Sequence, residues 1–339
     1  MKGLLWFNFI LVLAIVGSTA CNSSDKKKNN ADDILDQPPF AALTDSIKRF
    51  PDNALLYFKR AEILSQNNFH EIANSDYKKS WELKEDPEIA LRYASNLSII
   101  GKEKQAIQLL QSCIQKFPDE NGFKRLLGEA YIQSGKSKQA IELYDSVLKN
   151  DSLNFEAWFE RGRLLAQAKD TARAIASLQM AYSIQPVNTY ALELAHLFAE
   201  TKNQNALVIC DNVLESDSTH ELIDPFFIKG IYYSNMKEYE TATVQFDSCI
   251  RRDWKFTEAY IEKGIALYKQ KNYDGALNTF RMAATVTNTD PDAYYWIGRC
   301  YEAVNKMHEA GEYYQRAVEL DKDFSEAKEA LKRVDKING

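Results

Sequence analysis

Apolar residues in this chain recur three and four positions apart with polar residues between them, the beat of amphipathic helices and not the alternation of strands. That beat itself repeats. Sliding the sequence along itself returns the same pattern every 34 residues: Gly128, Gly162, Gly230, Gly264 and Gly298 share one frame position, with His196 at the skipped turn. Ala106, Ala140, Ala174, Ala242, Ala276 and Ala310 share a second. Leu97, Tyr131, Leu165, Tyr233, Leu267 and Tyr301 form a third series, and Leu110, Tyr144, Leu178, Phe246, Phe280 and Tyr314 a fourth.

These residue types describe two antiparallel helices per repeat. Glycine or alanine belongs where the two helices cross closest, because a larger side chain would force the backbones apart. The large residues fill the seam on either side. Pro51, Pro87, Pro118, Pro186 and Pro291 fall at repeat boundaries, where proline can stop one helix or open the next. One such unit cannot bury its own apolar face, so the units must stack.

The run Trp158, Arg161, Gly162, Leu165, Ala174, Leu178, Ala181 and Pro186 resembles the tetratricopeptide repeat signature. The resemblance implies an all-α fold, a right-handed superhelical solenoid of about eight helix-turn-helix repeats. The expected repeats are 53–86, 87–120, 121–154, 155–188, 189–222, 223–256, 257–290 and 291–324. The first, whose pattern starts at residue 54, is one residue short, and the fifth sets Ala206 two residues early, which predicts a tightened turn and a longer exit loop near Ser216 to His220. Residues 38–52 read as a lone capping helix at the front, and 325–339 as a closing cap with Ala327, Ala330, Leu331 and Val334 on one face.

The N-terminus departs from this pattern. Lys2 is followed by an apolar stretch from Leu4 to Val16, then Gly17, Ser18, Thr19 and Ala20 before Cys21. Residues 1–20 thus read as a secretory signal, too short for a spanning helix. The small residues before Cys21 resemble a bacterial lipoprotein cleavage site, which implies acylation of Cys21 and a lipid anchor in a Gram-negative envelope, at the outer membrane facing the periplasm. Residues 21–37, rich in Asn, Ser, Asp and Lys, are expected to be a flexible tether.

Composition narrows the chemistry. The 42 basic and 48 acidic residues are dispersed without a basic stripe, which argues against a nucleic-acid partner. No phosphate loop, dinucleotide fingerprint or HExxH pattern occurs, so neither catalysis nor a cofactor is expected. His70, His196, His220 and His308 are scattered, which argues against a metal site. Cys113, Cys210 and Cys249 occupy inward frame positions as small core residues, with Cys210 to Cys249 the one disulfide pairing worth testing. Short Asp-Ser or Asp-Thr pairs such as Asp151 with Ser152, Asp170 with Thr171 and Asp217 with Ser218 resemble an envelope O-glycosylation acceptor. Asp145 with Ser146, inside a predicted helix, matches equally well.

In the resembled family the first helix of each hairpin lines a concave face that holds a peptide or helix. Carried onto this frame, one row is Phe58, Leu91, Arg125, Phe159, Glu193, Phe227, Ile261 and Tyr295. The next is Glu62, Ser95, Glu129, Arg163, Leu197, Ile231, Ile265 and Arg299, with Tyr268 and Trp296 added in the second half. Phe227 with Ile231 and Ile261 with Ile265 form the expected apolar stripe. The expected activity is a non-enzymatic scaffold for a protein or peptide partner. The alternatives are self-association into a homo-oligomer and, lowest, glycan capture.

Overall fold

The computed structural model describes residues 31–338, and every regular element among them is a helix. The expected signal peptide and Cys21 lie outside the described residues. The described chain divides into two compact units between Ala168 and Lys169.

The first unit holds α1 (Ala31–Leu35), α2 (Ala41–Arg49), α3 (Ala54–Gln66), α4 (His70–Leu83), α5 (Pro87–Ile99), α6 (Glu103–Lys116), α7 (Asn121–Gln133), α8 (Ser137–Asn150) and α9 (Phe155–Gln167). The second holds α10 (Thr171–Ile184), α11 (Asn188–Glu200), α12 (Asn205–Ser216), α13 (Asp224–Asn235), α14 (Tyr239–Arg252), α15 (Thr257–Lys269), α16 (Tyr273–Val286), α17 (Pro291–Ala303), α18 (Met307–Leu320) and α19 (Ser325–Asn338). Within each unit successive helices pack as hairpins, and each hairpin packs on the next. No described helix is long and apolar enough to cross a membrane.

Local chemistry sets the boundaries. Asn53, Asp86, Asn154, Asp170, Asn272 and Asp290 accept a backbone N–H at the start of their helices, which satisfies a donor the helix cannot. Each hairpin turn places one residue in the left-handed region: Asn68, Gly101, Gly135, Lys169, Lys202, Lys237, Lys271 and Asn305. At the crossings, Gly128, Gly230, Gly264 and Gly298 lie directly beneath the rings of Tyr144, Phe246, Phe280 and Tyr314. A Cβ there would sit 2.4–2.7 Å from the ring. Repeats also share joints along the stack: Asp145 with Arg161 at 2.5 Å, Asp211 with Lys229 at 2.6 Å and Asp247 with Lys263 at 2.6 Å.

Two expectations are corrected. The fifth repeat runs one residue early, because the left-handed turn residues are 33 apart from Lys169 to Lys202 and 35 apart from Lys202 to Lys237. The crossing position there belongs to fully buried Ala195 and not to His196, which is partly exposed. The turn before α12 is not tightened. It has four residues between Glu200 and Asn205, against three between Gln167 and Thr171, and α12 itself is short at twelve residues. Secondly, residues 31–37 do not form a loose tether. Ile34 and Leu35 pack on the first core cluster, the Thr44 hydroxyl donates to the Leu35 carbonyl at 2.8 Å, and Lys48 pairs with Asp36. Two apolar residues suffice because α2 already offers a surface for them.

A buried ion pair ties this front segment to the first hairpin. Arg60 in α3 grips Asp76 in α4 through two hydrogen bonds of 2.6 and 2.8 Å and donates a third to Thr44 in α2. Cys113, Cys210, Cys249 and Cys300 are all buried and free, so Cys210 and Cys249 are not bridged. Burial pushes the thiols of Cys210, Cys249 and Cys300 up to about 12.

Candidate partner-binding groove

The first helices of the hairpins carry the lining positions, and burial sorts them. In the first unit Phe58 is only 6% exposed and stands edge-on to Tyr77 at 6.1 Å, so it belongs to the core. Leu91 is half-buried against the start of α7, beside Gly122. Arg125 is exposed and pairs with Glu129 at 2.5 Å, one turn along α7. On α9 the Arg163 guanidinium lies 5.7 Å over the Phe159 ring and reaches Glu160 at 3.4 Å. Burial raises the Glu160 carboxyl above its ordinary value, opposed by Arg163. This face is mixed in charge, with Arg125, Glu129, Glu160 and Arg163 partnering one another.

In the second unit the expected apolar stripe is largely consumed by packing. Phe227 is 3% exposed, held between Phe246 at 5.8 Å and Phe256, at the entry to α15, at 5.1 Å. It is corrected from a docking residue to a core residue. Ile231 is half-buried on the same cluster, and Ile261 and Ile265 on the next one. The one-residue shift of α11 moves Glu193 and Leu197 off the lining rows, and Leu197 is buried. Leu192 and His196 take those positions, and burial pushes the His196 imidazole below its ordinary value.

What remains accessible gathers around Arg299. Its guanidinium stands 5.6 Å from the Tyr268 ring, 5.8 Å from Tyr295 and 5.6 Å from Trp296. It donates to the Tyr295 hydroxyl at 3.0 Å and the Tyr268 hydroxyl at 3.5 Å. Tyr268 also meets Tyr273 and Trp296 edge-on, so the rings brace one another. Tyr268, Tyr295 and Arg299 floor a depression of about 440 Å³ walled by Glu302, Glu329 and Arg333. Arg333 of α19 donates to both oxygens of Glu302 at 2.7 and 2.8 Å, and the Tyr314 hydroxyl donates to the same carboxylate at 2.5 Å. The Arg333 hydrogen bonds, helped by Tyr314, hold Glu302 below the usual carboxylate range against the effect of burial.

The structure gathers Tyr268, Tyr295, Trp296 and Arg299, all expected on the lining helices, and sets beside them Glu302, Glu329 and Arg333, which the sequence pattern does not mark. Their signal was weak, since α19 reads as a cap whose apolar face alone points inward. Two further carboxyls went unnoticed. Glu262 is pushed up to about 7 by burial and by Asp292, and Asp292 to about 6 by burial and by Asp290, Glu326 and Asp321. Among the described residues no group of three or more His, Cys, Asp and Glu side chains is arranged to hold a metal ion. Rigid aromatic faces beside fixed charges suit recognition of side chains on another polypeptide.

Comparison with known proteins agrees with the helical-hairpin fold. Tetratricopeptide repeat models match residues 88–120, 125–189 and 291–324. A DnaJ homolog subfamily C member 7 homolog of Schizosaccharomyces pombe is 26% identical over 86% of this chain and 62% of its own length. The TPR repeat-containing protein MJ1428 of Methanocaldococcus jannaschii is 21% identical over 63% of this chain and 41% of its own. The chain therefore spans less than two thirds of either relative. Among solved structures, a tetratricopeptide repeat protein from Parabacteroides merdae superposes with a TM-score of 0.63 at 17% identity, covering 73% of this chain and 98% of the other. The type IV pilus biogenesis factor PilW gives 0.54 at 19% identity, covering 64% and 98%. With repeat matches in both units and the hairpin geometry that surrounds them, the described residues have the fold of a tetratricopeptide repeat solenoid, and three segments of the chain match tetratricopeptide repeat models.

Proposed function

We propose that the protein is a lipid-anchored envelope adaptor that holds a protein or peptide partner against the first helices of its last repeats, and that it carries out no chemistry on that partner. The observation that carries the reading is the cluster of Tyr268, Tyr295 and Arg299 on the floor of an open depression, braced by Trp296. Rings that stay half-exposed while gripping one another can bury area on a partner without losing much rotamer freedom. The signal-like N-terminus and Cys21 support export and acylation, at the outer membrane facing the periplasm.

The test is crosslinked capture from native envelopes with the full-length chain and with Tyr268→Ala/Tyr295→Ala. Loss of the main partner from the variant, with helix content unchanged, is the expected result. A variant that captures the same partner as efficiently as the parent chain refutes the assignment to this cluster.

A further inference from the structure

We propose that the edge of the first unit formed by the α2–α3 turn is a membrane-contact surface that seats the repeats on a phospholipid bilayer. This rests on the reading of Cys21 as a lipid anchor. Phe50 is 62% exposed and Leu55 53% exposed, and with Pro51 they rim an open depression of about 770 Å³. Packing does not require that exposure. The chain uses nearly the same words twice, Ile47 to Pro51 and Ile114 to Pro118, and the second phenylalanine, Phe117, is half-buried on Phe123 at 6.1 Å. Phe50, at the equivalent place, stays in the open.

The anchor brings this edge to a membrane. From Cys21 to Ala31 the chain has ten residues to spend, about 35 Å at full extension. The described residues then begin beside α2, with Leu35 held to Thr44 and Asp36 to Lys48, two residues from Phe50. The tether thus leaves the unit close to its exposed apolar edge. Arg49 and Lys84 border the patch, with Asp52 the one carboxylate among its lining residues and Lys84 paired with Asp86. Apolar tips flanked by cations are the composition that enters the headgroup boundary. Lys26 to Lys28 add basic charge on the tether itself.

The experiment uses the full acylated chain in phospholipid vesicles, with a nitroxide placed at Asp52→Cys and, as a control on the opposite edge, at Asn67→Cys. The four buried native thiols leave the introduced cysteine as the reactive one. On vesicles the label at 52 should lose access to an aqueous nickel relaxant while the label at 67 keeps it. Phe50→Asp/Leu55→Asp should restore access at 52 about tenfold, with the chain still floating with the vesicles. Full aqueous access at 52 in the acylated, vesicle-bound parent chain overturns this proposal and leaves the anchor standing. Finding no acyl group on Cys21 overturns both. Protection at 52 that persists without vesicles and grows with protein concentration assigns the edge to a second copy, and overturns the proposal too.

Discussion

Gly264→Ala tests the packing rule on which the repeats are built. The new Cβ would lie 2.4, 2.6 and 2.8 Å from Cε1, Cζ and Cδ1 of Phe280, where carbon atoms prefer about 3.5–4.0 Å. The ring cannot swing away freely, because Phe280 is fully buried and stacked on Trp296 at 5.7 Å. Overpacking of this kind costs about 1–3 kcal/mol, while replacing glycine inside a helix returns about 1 kcal/mol. The net expectation is a loss of up to about 2 kcal/mol. Phe280→Leu alone should also destabilise, by about 1–2 kcal/mol, through the cavity it leaves. Together the two changes recreate the Ala94 and Leu110 pair already buried in α5 and α6. The double variant should therefore be more stable than the sum of the single losses by about 1 kcal/mol or more. Urea unfolding followed by far-ultraviolet circular dichroism, with all four proteins run in parallel, measures the cycle. A Gly264→Ala protein more stable than the parent, or strictly additive losses, refutes the size-matching argument.

Three other outcomes follow from the buried chemistry. Glu262 is raised from its ordinary 4.5 to about 7, so its protonated form favours the folded state. That contribution is complete below about pH 4.5 and is lost as pH rises through 7, and Glu262→Gln should raise the urea midpoint near neutrality and flatten its decline across this window. A parent-minus-variant difference that does not change with pH would disprove the assigned cause. Arg60→Met should cost about 3–5 kcal/mol by leaving Asp76 buried without its partner, read by chemical denaturation, whereas Arg60→Met/Asp76→Leu should recover most of the loss. Finally, the buried thiols should resist an aromatic disulfide reagent in the native protein and react together on unfolding; fast labelling of any one of them in the folded chain would show that its packing is looser than described.

The frame of the fold is legible in the sequence because one small residue and one large residue mark each crossing, and the 34-residue spacing carries through the chain. It fails at the fifth repeat for a local reason. Ala195 and His196 are neighbours, and arithmetic from Gly162 lands on the wrong one by a single residue. The helix at 31–35 was hidden because its apolar content is too small to announce burial, and only the surface offered by α2 orders it. The groove was half legible. Frame position says which face a residue occupies, but not whether a neighbouring segment covers it. Phe256 covers Phe227, whereas Tyr268 and Tyr295 stay accessible around Arg299. Arg333 and Glu302 are 31 residues apart, and no local pattern links them.

The joint that recurs between Asp145 and Arg161, Asp211 and Lys229, and Asp247 and Lys263 has a genetic reading. Because the acid always sits on the outgoing helix and the base on the incoming one, these repeats are interchangeable at their seams. Excising residues 223–256 would bring Asp211 up to Lys263 with the same partners in the same places. A chain built this way can lengthen or shorten by whole repeats without inventing a new interface, so its reach is free to change while its ends, held by Arg60 at the front and Arg333 at the back, stay as they are.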